Sequence, residues 1–236
     1  MKKLCLFLLF LLQVISLSAK SMDIERYRNN SSVQWCWAIS ALYEIPFRGD
    51  ELILDLGSGD GKITDYLVSQ VPQGGVVGLD PLVEAINFAM DRYPNLTFVN
   101  DDAAVFSSPE TYDLITAFCV FNWIEEKELV FAKMAENLKQ GGHALIVVPC
   151  DLPGTESLYR ELAQKAGLEI LSCKRTRTEV VFQNSDELRQ WLLSVCSDFS
   201  DEAFEHHLQL VKKVFPQAGD GRIYAFPHKL TILLEK

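Results

Sequence analysis

The amino-acid sequence predicts an α/β fold. It reads as a doubly wound, mostly parallel sheet of seven strands with an antiparallel last strand and a C-terminal helical insertion. Three observations carry this. From residue 51 onward short apolar runs alternate with stretches of helical periodicity, the pattern of parallel strands joined by crossover helices. One of those runs, Glu51–Leu56, ends in the glycine cluster Gly57-Ser58-Gly59-Asp60-Gly61, as at a strand-to-helix junction that faces a ligand. Hydrophobic residues make up 48% of the 236 residues and charged ones 23%, enough apolar material for a sizeable core and inconsistent with bulk disorder.

Residues 1–19 read as a signal-peptide-like leader. Lys2 and Lys3 precede an apolar run from Leu4 to Leu12, and Leu17-Ser18-Ala19 offers small residues for cleavage. The run is short for a stable membrane span, which needs about 20 apolar residues. Residues 24–150 form the core of the domain and residues 151–236 its C-terminal part. Residues 24–45, with Trp35, Trp37, Ile39, Leu42 and Tyr43, read as one helix leading into the core.

Glu51–Leu56 is the first strand, and Ile63, Tyr66, Leu67 and Val71 then recur at helical spacing. Val76–Leu79 is the second strand, closed by Asp80-Pro81, and Val83, Ile86, Ala89, Met90 and Tyr93 stripe the next helix. Leu96–Val99 and Asp113–Phe118 are the third and fourth strands. A helix over 126–139 stops at Gly141-Gly142, and Ala144–Val148 is the fifth strand. A helix near 155–167, a strand region within 168–183, helices near 185–195 and 201–214, and a last strand from Ile223 to Leu234 complete the chain.

The net charge is −10, and it becomes −12 without the first nineteen residues. So acidic a chain repels phosphate backbones, which argues against nucleic acid as a partner. Six cysteines stand at 5, 36, 119, 150, 173 and 196 with no Cys-x-x-Cys spacing, so neither a disulfide framework nor a metal site is expected. That thiol pattern suits a reducing compartment while the leader suggests export. A start at Met22, directly before Asp23-Ile24-Glu25, would give a cytosolic protein.

The informative stretch is Leu54-Asp55-Leu56-Gly57-Ser58-Gly59-Asp60-Gly61. Glycines at 57, 59 and 61 let bare backbone approach a ligand, where a Cβ would collide with it, and the following helix turns its N–H groups toward the same place. Asp80 ends the next strand 23 residues after Gly57, the position from which an acid accepts hydrogen bonds from ribose hydroxyls. The dinucleotide fingerprint requires a third glycine at 62, where Lys62 stands, and none of the seven tyrosines has a lysine four positions on. A nicotinamide-dependent oxidoreductase is therefore disfavoured. Asp55, before the turn, suits a cationic ligand.

These residues resemble the class I S-adenosylmethionine-dependent methyltransferases, whose fold is Rossmann-like. Asp55-x-Gly57-x-Gly59-x-Gly61 matches the first motif of that family, and Asp80 with Pro81 the acidic end of the second strand. Asn100-Asp101-Asp102-Ala103 is similar to the third, and Tyr112–Phe118 to the strand that passes beside the cofactor. Leu138-Lys139-Gln140-Gly141-Gly142 is similar to the family's approach to the fifth strand. The resemblance implies S-adenosyl-L-methionine as cofactor, bound by Asp55, Gly57, Ser58, Gly59, Asp80, Pro81, Asp102, Ala103 and Phe118. Competing readings make Asp102 a cap for a helix over 103–107 and Phe118 plain core.

On the substrate side, Tyr27-x-x-Asn30-Ser31-Ser32-x-Gln34 and Phe121-Asn122-Trp123 resemble small-molecule O-methyltransferases of the trans-aconitate and juvenile-hormone-acid type. The resemblance implies that Tyr27 and Gln34 lie on a lid over the cofactor and that Asn122 and Trp123 border the acceptor; simple core packing is the competing reading for Trp123. Asn122 departs from the histidine that relatives carry before the Trp. The implied reaction is methyl transfer to a small-molecule acceptor, with a carboxylate oxygen as the candidate nucleophile. A carboxylate needs no base, and none of His143, His206, His207 and His228 lies in a motif region except His143, which reads as solvent-facing loop. Arg175 and Arg177 alternate on a strand and read as a solvated face. The contrasting expectation is an exported or inactive binding module that retains the fold.

Overall fold

The structure is a computed structural model that describes residues 22–195, 201–215 and 217–236. The leader at 1–19 and Cys196 lie outside the described residues. Among those described, no helix is long and apolar enough to cross a membrane, and Cys36, Cys119, Cys150 and Cys173 are free thiols.

Seven strands form one sheet in the order β3-β2-β1-β4-β5-β9-β6. They are β1 (Leu52–Leu56), β2 (Gly75–Asp80), β3 (Thr97–Asn100), β4 (Tyr112–Phe118), β5 (Leu138–Pro149), β6 (Glu169–Arg177) and β9 (His228–Glu235). β1 pairs in parallel with β2 and β4, β2 with β3, and β4 with β5. β9 lies antiparallel between β5 and β6. The strand order reverses between β1 and β4, so the crevice beyond their carboxyl ends is where a fold of this kind receives ligands.

Alternation along the strands sorts side chains into two layers. Ile115 and Ala117 of β4 join Leu54, Leu56, Ile146 and Ile232 on one face. There they pack against Phe131 and Met134 of α5 (Lys127–Asn137) and Leu162 of α6 (Thr155–Lys165). Leu114 and Phe118 point to the other face with Ile53, Leu145 and Val147, against Leu67 of α3 (Lys62–Gln70). Burial of each such side chain contributes about 1.5–3 kcal/mol. α4 (Val83–Arg92) covers the β2–β3 edge through Ile86 and Ala89.

Three boundaries differ from the sequence reading. The helix expected over 24–45 is two helices, α1 (Ile24–Asn30) and α2 (Ser32–Leu42), separated by Ser31. Trp37 and Leu42 enter the core while Tyr43 is 89% exposed. The helix over 126–139 ends at Asn137, and Gly141-Gly142 lies inside β5 rather than between helix and strand. The reason is close strand contact: a Cβ on Gly142 would stand 2.9 Å from the Tyr112 and Lys139 carbonyl oxygens.

The third difference concerns the tail. The region within 168–183 is split into β6 and β7 (Val180–Phe182), and the last strand into β8 (Ile223–Ala225) and β9. β7 and β8 pair with each other in a separate two-stranded sheet. The two breaks face one another, because Thr178 donates both its N–H (2.8 Å) and its hydroxyl (3.0 Å) to the Pro227 carbonyl. Pro227 has no N–H to offer a ladder, so both chains leave the main sheet at the same level. The small sheet packs with α7 (Ser185–Val195) and α8 (Asp201–Val214) around Phe182, Leu188, Leu192, Leu208 and Ile223.

Candidate active site

The glycine turn after β1 is held by its neighbours. Gly57, Gly59 and Gly61 all have positive φ, at 72°, 53° and 75°, the left-handed region that favours glycine. Their surroundings differ. A Cβ on Gly57 would stand 2.3 Å from Val120 Cγ2, and one on Gly61 2.8 Å from Phe98 Cζ. Protein packing therefore requires glycine at those two positions by itself, a reason that the sequence expectation did not include. Only Gly59 opens on free space, its nearest side-chain neighbour being Tyr27 Cε1 at 4.0 Å. Beside it Ser58 Oγ is buried and has no hydrogen-bond partner among the described residues.

Asp55 braces the turn from within. It is 2% exposed, and its two oxygens accept from Thr64 Oγ1 at 2.7 Å and Thr116 Oγ1 at 2.8 Å. It thus ties β1 to α3 and β4 instead of turning a bare carboxylate toward a ligand. Burial pushes its carboxyl up to about 6 against the pull of those two hydroxyls. Asp80 closes the turn from β2: Oδ2 accepts from Gly59 N at 3.0 Å and Oδ1 from Leu82 N at 2.9 Å. Burial raises Asp80 and Asp60 as well. No basic side chain among the described residues pairs with Asp55 or Asp80, so the hollow beside Gly59 carries negative potential suited to a cationic ligand. Pro81 is exposed at the end of β2.

Asp102 is exposed, and its Oδ1 accepts from Ala104 N at 2.8 Å. It caps the turn that follows β3, which buries Ala103. Phe118 lies in the core with Trp37 and Val147. The next residue, Cys119, has φ 57°, a strained conformation for a side-chain-bearing residue that recurs at functional sites. This bend lifts the segment 119–123 out of the sheet. There the Asn122 amide donates to the Cys119 carbonyl at 2.7 Å and accepts from Trp123 Nε1 at 3.1 Å.

The N-terminal helices lie across this crevice. Arg28 of α1 pairs with Asp60 in the glycine turn at 3.1 Å and donates to Tyr93 Oη at 3.0 Å. Trp35 of α2 meets Tyr66 edge-on at 5.7 Å and receives Lys62 Nζ over its ring at 4.7 Å. Tyr27 hangs between them, its phenol pushed far above the usual range by burial and by the nearby Cys119 thiol, Asp60 and Asp80. Gln34, 9% exposed, accepts from Trp191 Nε1 of α7 at 3.4 Å.

Tyr27 and Gln34 also form one wall of a cavity of about 220 Å³. Cys119, Asn122 and Trp123 form a second wall, and Phe182, Trp191 and Phe215 close the C-terminal side. Its floor holds Asp151 and His228, whose Nδ1 lies 2.9 Å from Asp151 Oδ1. No lysine or arginine lines it among the described residues. Behind it Lys229, 6% exposed, donates to Trp37 O at 3.3 Å and Ser40 Oγ at 2.5 Å. Burial pushes its ammonium down.

Of the sequence candidates, the structure gathers Tyr27, Gln34, Asn122 and Trp123 at the cavity and Ser58, Gly59 and Asp80 at the hollow. Arg175 and Arg177 are exposed, Arg177 stacking on Phe226 at 4.4 Å, and His143 meets Glu235 at 3.3 Å with 40% of its side chain exposed. Sequence reasoning missed Arg28, Cys119 and Asp151, and it set His228 aside as lying in no motif region. Arg28 alone carried a signal, as a basic residue one position from Tyr27; the others belong to no motif.

Comparison with known proteins agrees with this geometry. Residues 53–142 match the family described as a methyltransferase domain. A trans-aconitate 2-methyltransferase of Rhizobium rhizogenes is 32% identical over 126 residues, 53% of this chain and 49% of the relative. The enzyme of the same name from Rhizobium leguminosarum bv. trifolii is 29% identical over 220 residues, 77% of this chain and 86% of the relative. Apart from that second enzyme, the chain spans about half the length of the curated relatives it matches. Among solved structures, a TehB-like SAM-dependent methyltransferase from Corynebacterium glutamicum superposes with TM-score 0.57 at 22% identity, covering 90% of this chain and 95% of that one. Residues 53–142 thus match a methyltransferase domain, and the chain shares the fold of SAM-dependent methyltransferases.

Proposed function

We propose that this chain is a class I methyltransferase that transfers the methyl group of S-adenosylmethionine to a small-molecule acceptor seated in the cavity behind Tyr27. One observation carries the reading. Tyr27 is the shared wall between the hollow at Gly59 and the cavity lined by Cys119, Asn122 and His228. Donor and acceptor compartments are thus one side chain apart. The residues fit the cofactor: Ser58 Oγ is a buried polar atom awaiting a partner, Gly59 leaves room, and Asp80 retains acceptor capacity toward ribose hydroxyls. Asp102 and Ala103 stand at the end of the neighbouring strand, where the adenine would lie. When bound, the cofactor supplies an electrophilic methyl group on a positively charged sulfur. The protein contributes alignment above all, since Arg28 and Asp60 hold the lid against the glycine turn.

A carboxylate oxygen is a second reading of the acceptor atom, supported by the names of the trans-aconitate relatives. A polycarboxylate suits the cavity poorly, because its lining is mostly apolar and Asp151, the one carboxylate there among the described residues, would repel it.

Calorimetry tests the reading. S-adenosylmethionine should bind in the micromolar range, about −8 kcal/mol, in preference to NAD. Asp80→Ala should weaken it by roughly 1–3 kcal/mol through loss of a charge-assisted acceptor and of the Gly59 anchor. Tight NAD binding with no response to S-adenosylmethionine would overturn the proposal.

A further inference from the structure

We propose that His228, oriented by Asp151, is the general base of this site, and that its acceptor bears a neutral O–H or N–H group that must lose a proton during transfer. The inference rests on the methyl-transfer reading and narrows its substrate class.

His228 opens β9 and Asp151 follows β5, with Cys150 N donating to the His228 carbonyl at 2.8 Å. One oxygen of Asp151 engages His228 twice, at the backbone N (3.1 Å) and at ring Nδ1 (2.9 Å). The double contact fixes both the strand and the ring. A carboxylate only accepts, so in the neutral imidazole the proton sits on Nδ1 and the lone pair on Nε2. Among the described residues no hydrogen bond engages Nε2, and His228 lines the cavity. The side chains are 32% and 14% exposed, so the base can exchange its proton with solvent while its orienting acid stays sheltered. A base held by a third group is the arrangement used to activate weak nucleophiles.

Other charged and titratable groups surround the ring. Arg177 is its cross-strand neighbour on β6, Lys229 follows it but turns to Ser40, and Cys119 and Tyr27 share the cavity. None of these is positioned as a ready acceptor. Tyr27 and Cys119 are both held protonated, first by burial. A carboxylate acceptor would need no such device, since it is already ionised. In the proposed step the acceptor oxygen or nitrogen forms a bond to the methyl carbon. The carbon–sulfur bond breaks with its electron pair on sulfur, and the acceptor proton passes to Nε2. The imidazolium is stabilised by Asp151 and then returns its proton to water.

Two measurements test this. Nitrogen-15 NMR of the full chain, with His228 assigned by loss of its signals in His228→Gln, should show the neutral ring as the Nδ1–H tautomer; Asp151→Ala should move it to the Nε2–H form favoured in solution. An Nε2–H ring in the wild type overturns the proposal. Methyl transfer from labelled cofactor is then followed with 1-naphthol, 1-naphthylamine and octanoate as probes. Naphthol or naphthylamine should be methylated with a rate that climbs tenfold per pH unit before reaching a plateau. His228→Gln should lose on the order of 100-fold with cofactor affinity unchanged. Transfer to octanoate alone, a flat pH profile, no transfer to any probe, or an active His228→Gln would each sink the base. All of these leave the methyltransferase reading standing as long as the cofactor binds; absence of cofactor binding removes that reading instead.

Discussion

The proposed donor and acceptor sides of the site lie against each other yet are built by different means. The donor side is assembled from consecutive elements. β1, the glycine turn, α3 and β2 span Leu52–Asp80, and their contacts are directional: two hydroxyls on Asp55, backbone N–H groups on Asp80, a guanidinium on Asp60. The acceptor side is assembled from remote segments. Tyr27, Asn122, Asp151, Trp191 and His228 meet around a largely apolar space, where the polar contacts are few and packing sets the shape. The first arrangement suits a ligand of fixed structure that must be gripped at defined atoms. The second leaves the wall free to vary without disturbing the grip.

If the donor side is as tightly determined as this suggests, small changes there should be costly and position-dependent. Gly57→Ala combines a left-handed backbone with a Cβ 2.3 Å from Val120, and should destabilise the fold by at least about 3 kcal/mol. Gly59→Ala has the same backbone demand but open space, so it should cost the fold only about 1 kcal/mol while weakening cofactor binding tenfold or more. Denaturation and calorimetry on the pair separate the two effects. Equal stabilities would show that the turn is looser than its contacts imply.

A second test uses pH. Asp55 is raised from 3.8 to about 6 by burial, so the folded state holds its proton more tightly than the unfolded chain does. Its contribution to stability is full below about pH 4 and is lost as pH rises toward 6, by up to about 3 kcal/mol. Asp55→Asn removes that dependence while keeping a polar partner for Thr64 and Thr116. Chemical denaturation should therefore show the variant gaining on the wild type between pH 4 and pH 7. A constant difference would mean that Asp55 is ionised throughout, with its two hydroxyl donors outweighing burial.

A third test concerns the lid. Arg28→Ala leaves Asp60, whose side chain is 6% exposed, without its cation, at a cost of roughly 1–3 kcal/mol. Hydrogen exchange should quicken in α1 and leave β1 and β4 unchanged. Quickening across the sheet would show that the lid is part of the core rather than laid upon it.

Much of the donor side was legible in advance because its signals are local. Strand periodicity, the glycine spacing at 57, 59 and 61 and the acid at Asp80 are short-range patterns imposed by backbone geometry. Even there part of the reason for a residue was not legible: Gly57 and Gly61 make room for Val120 and Phe98. The break between α1 and α2 and the splitting of the last strands were not legible, because both depend on what the chain meets. Pro227 marks a break only once Thr178 lies opposite it.

By itself, then, the sequence determined the order of strands and helices from β1 to β5 and the turn at which a nucleotide-bearing cofactor is expected to rest. Repeating apolar periods and turn chemistry act within a few residues, and they suffice for that. Tertiary structure alone decided that Arg28 reaches Asp60, that Cys119 bends the chain into the crevice, and that Asp151 meets His228, 77 positions away. The last of these follows from the antiparallel return of β9 beside β5, and no local pattern encodes which residues such a pairing brings face to face.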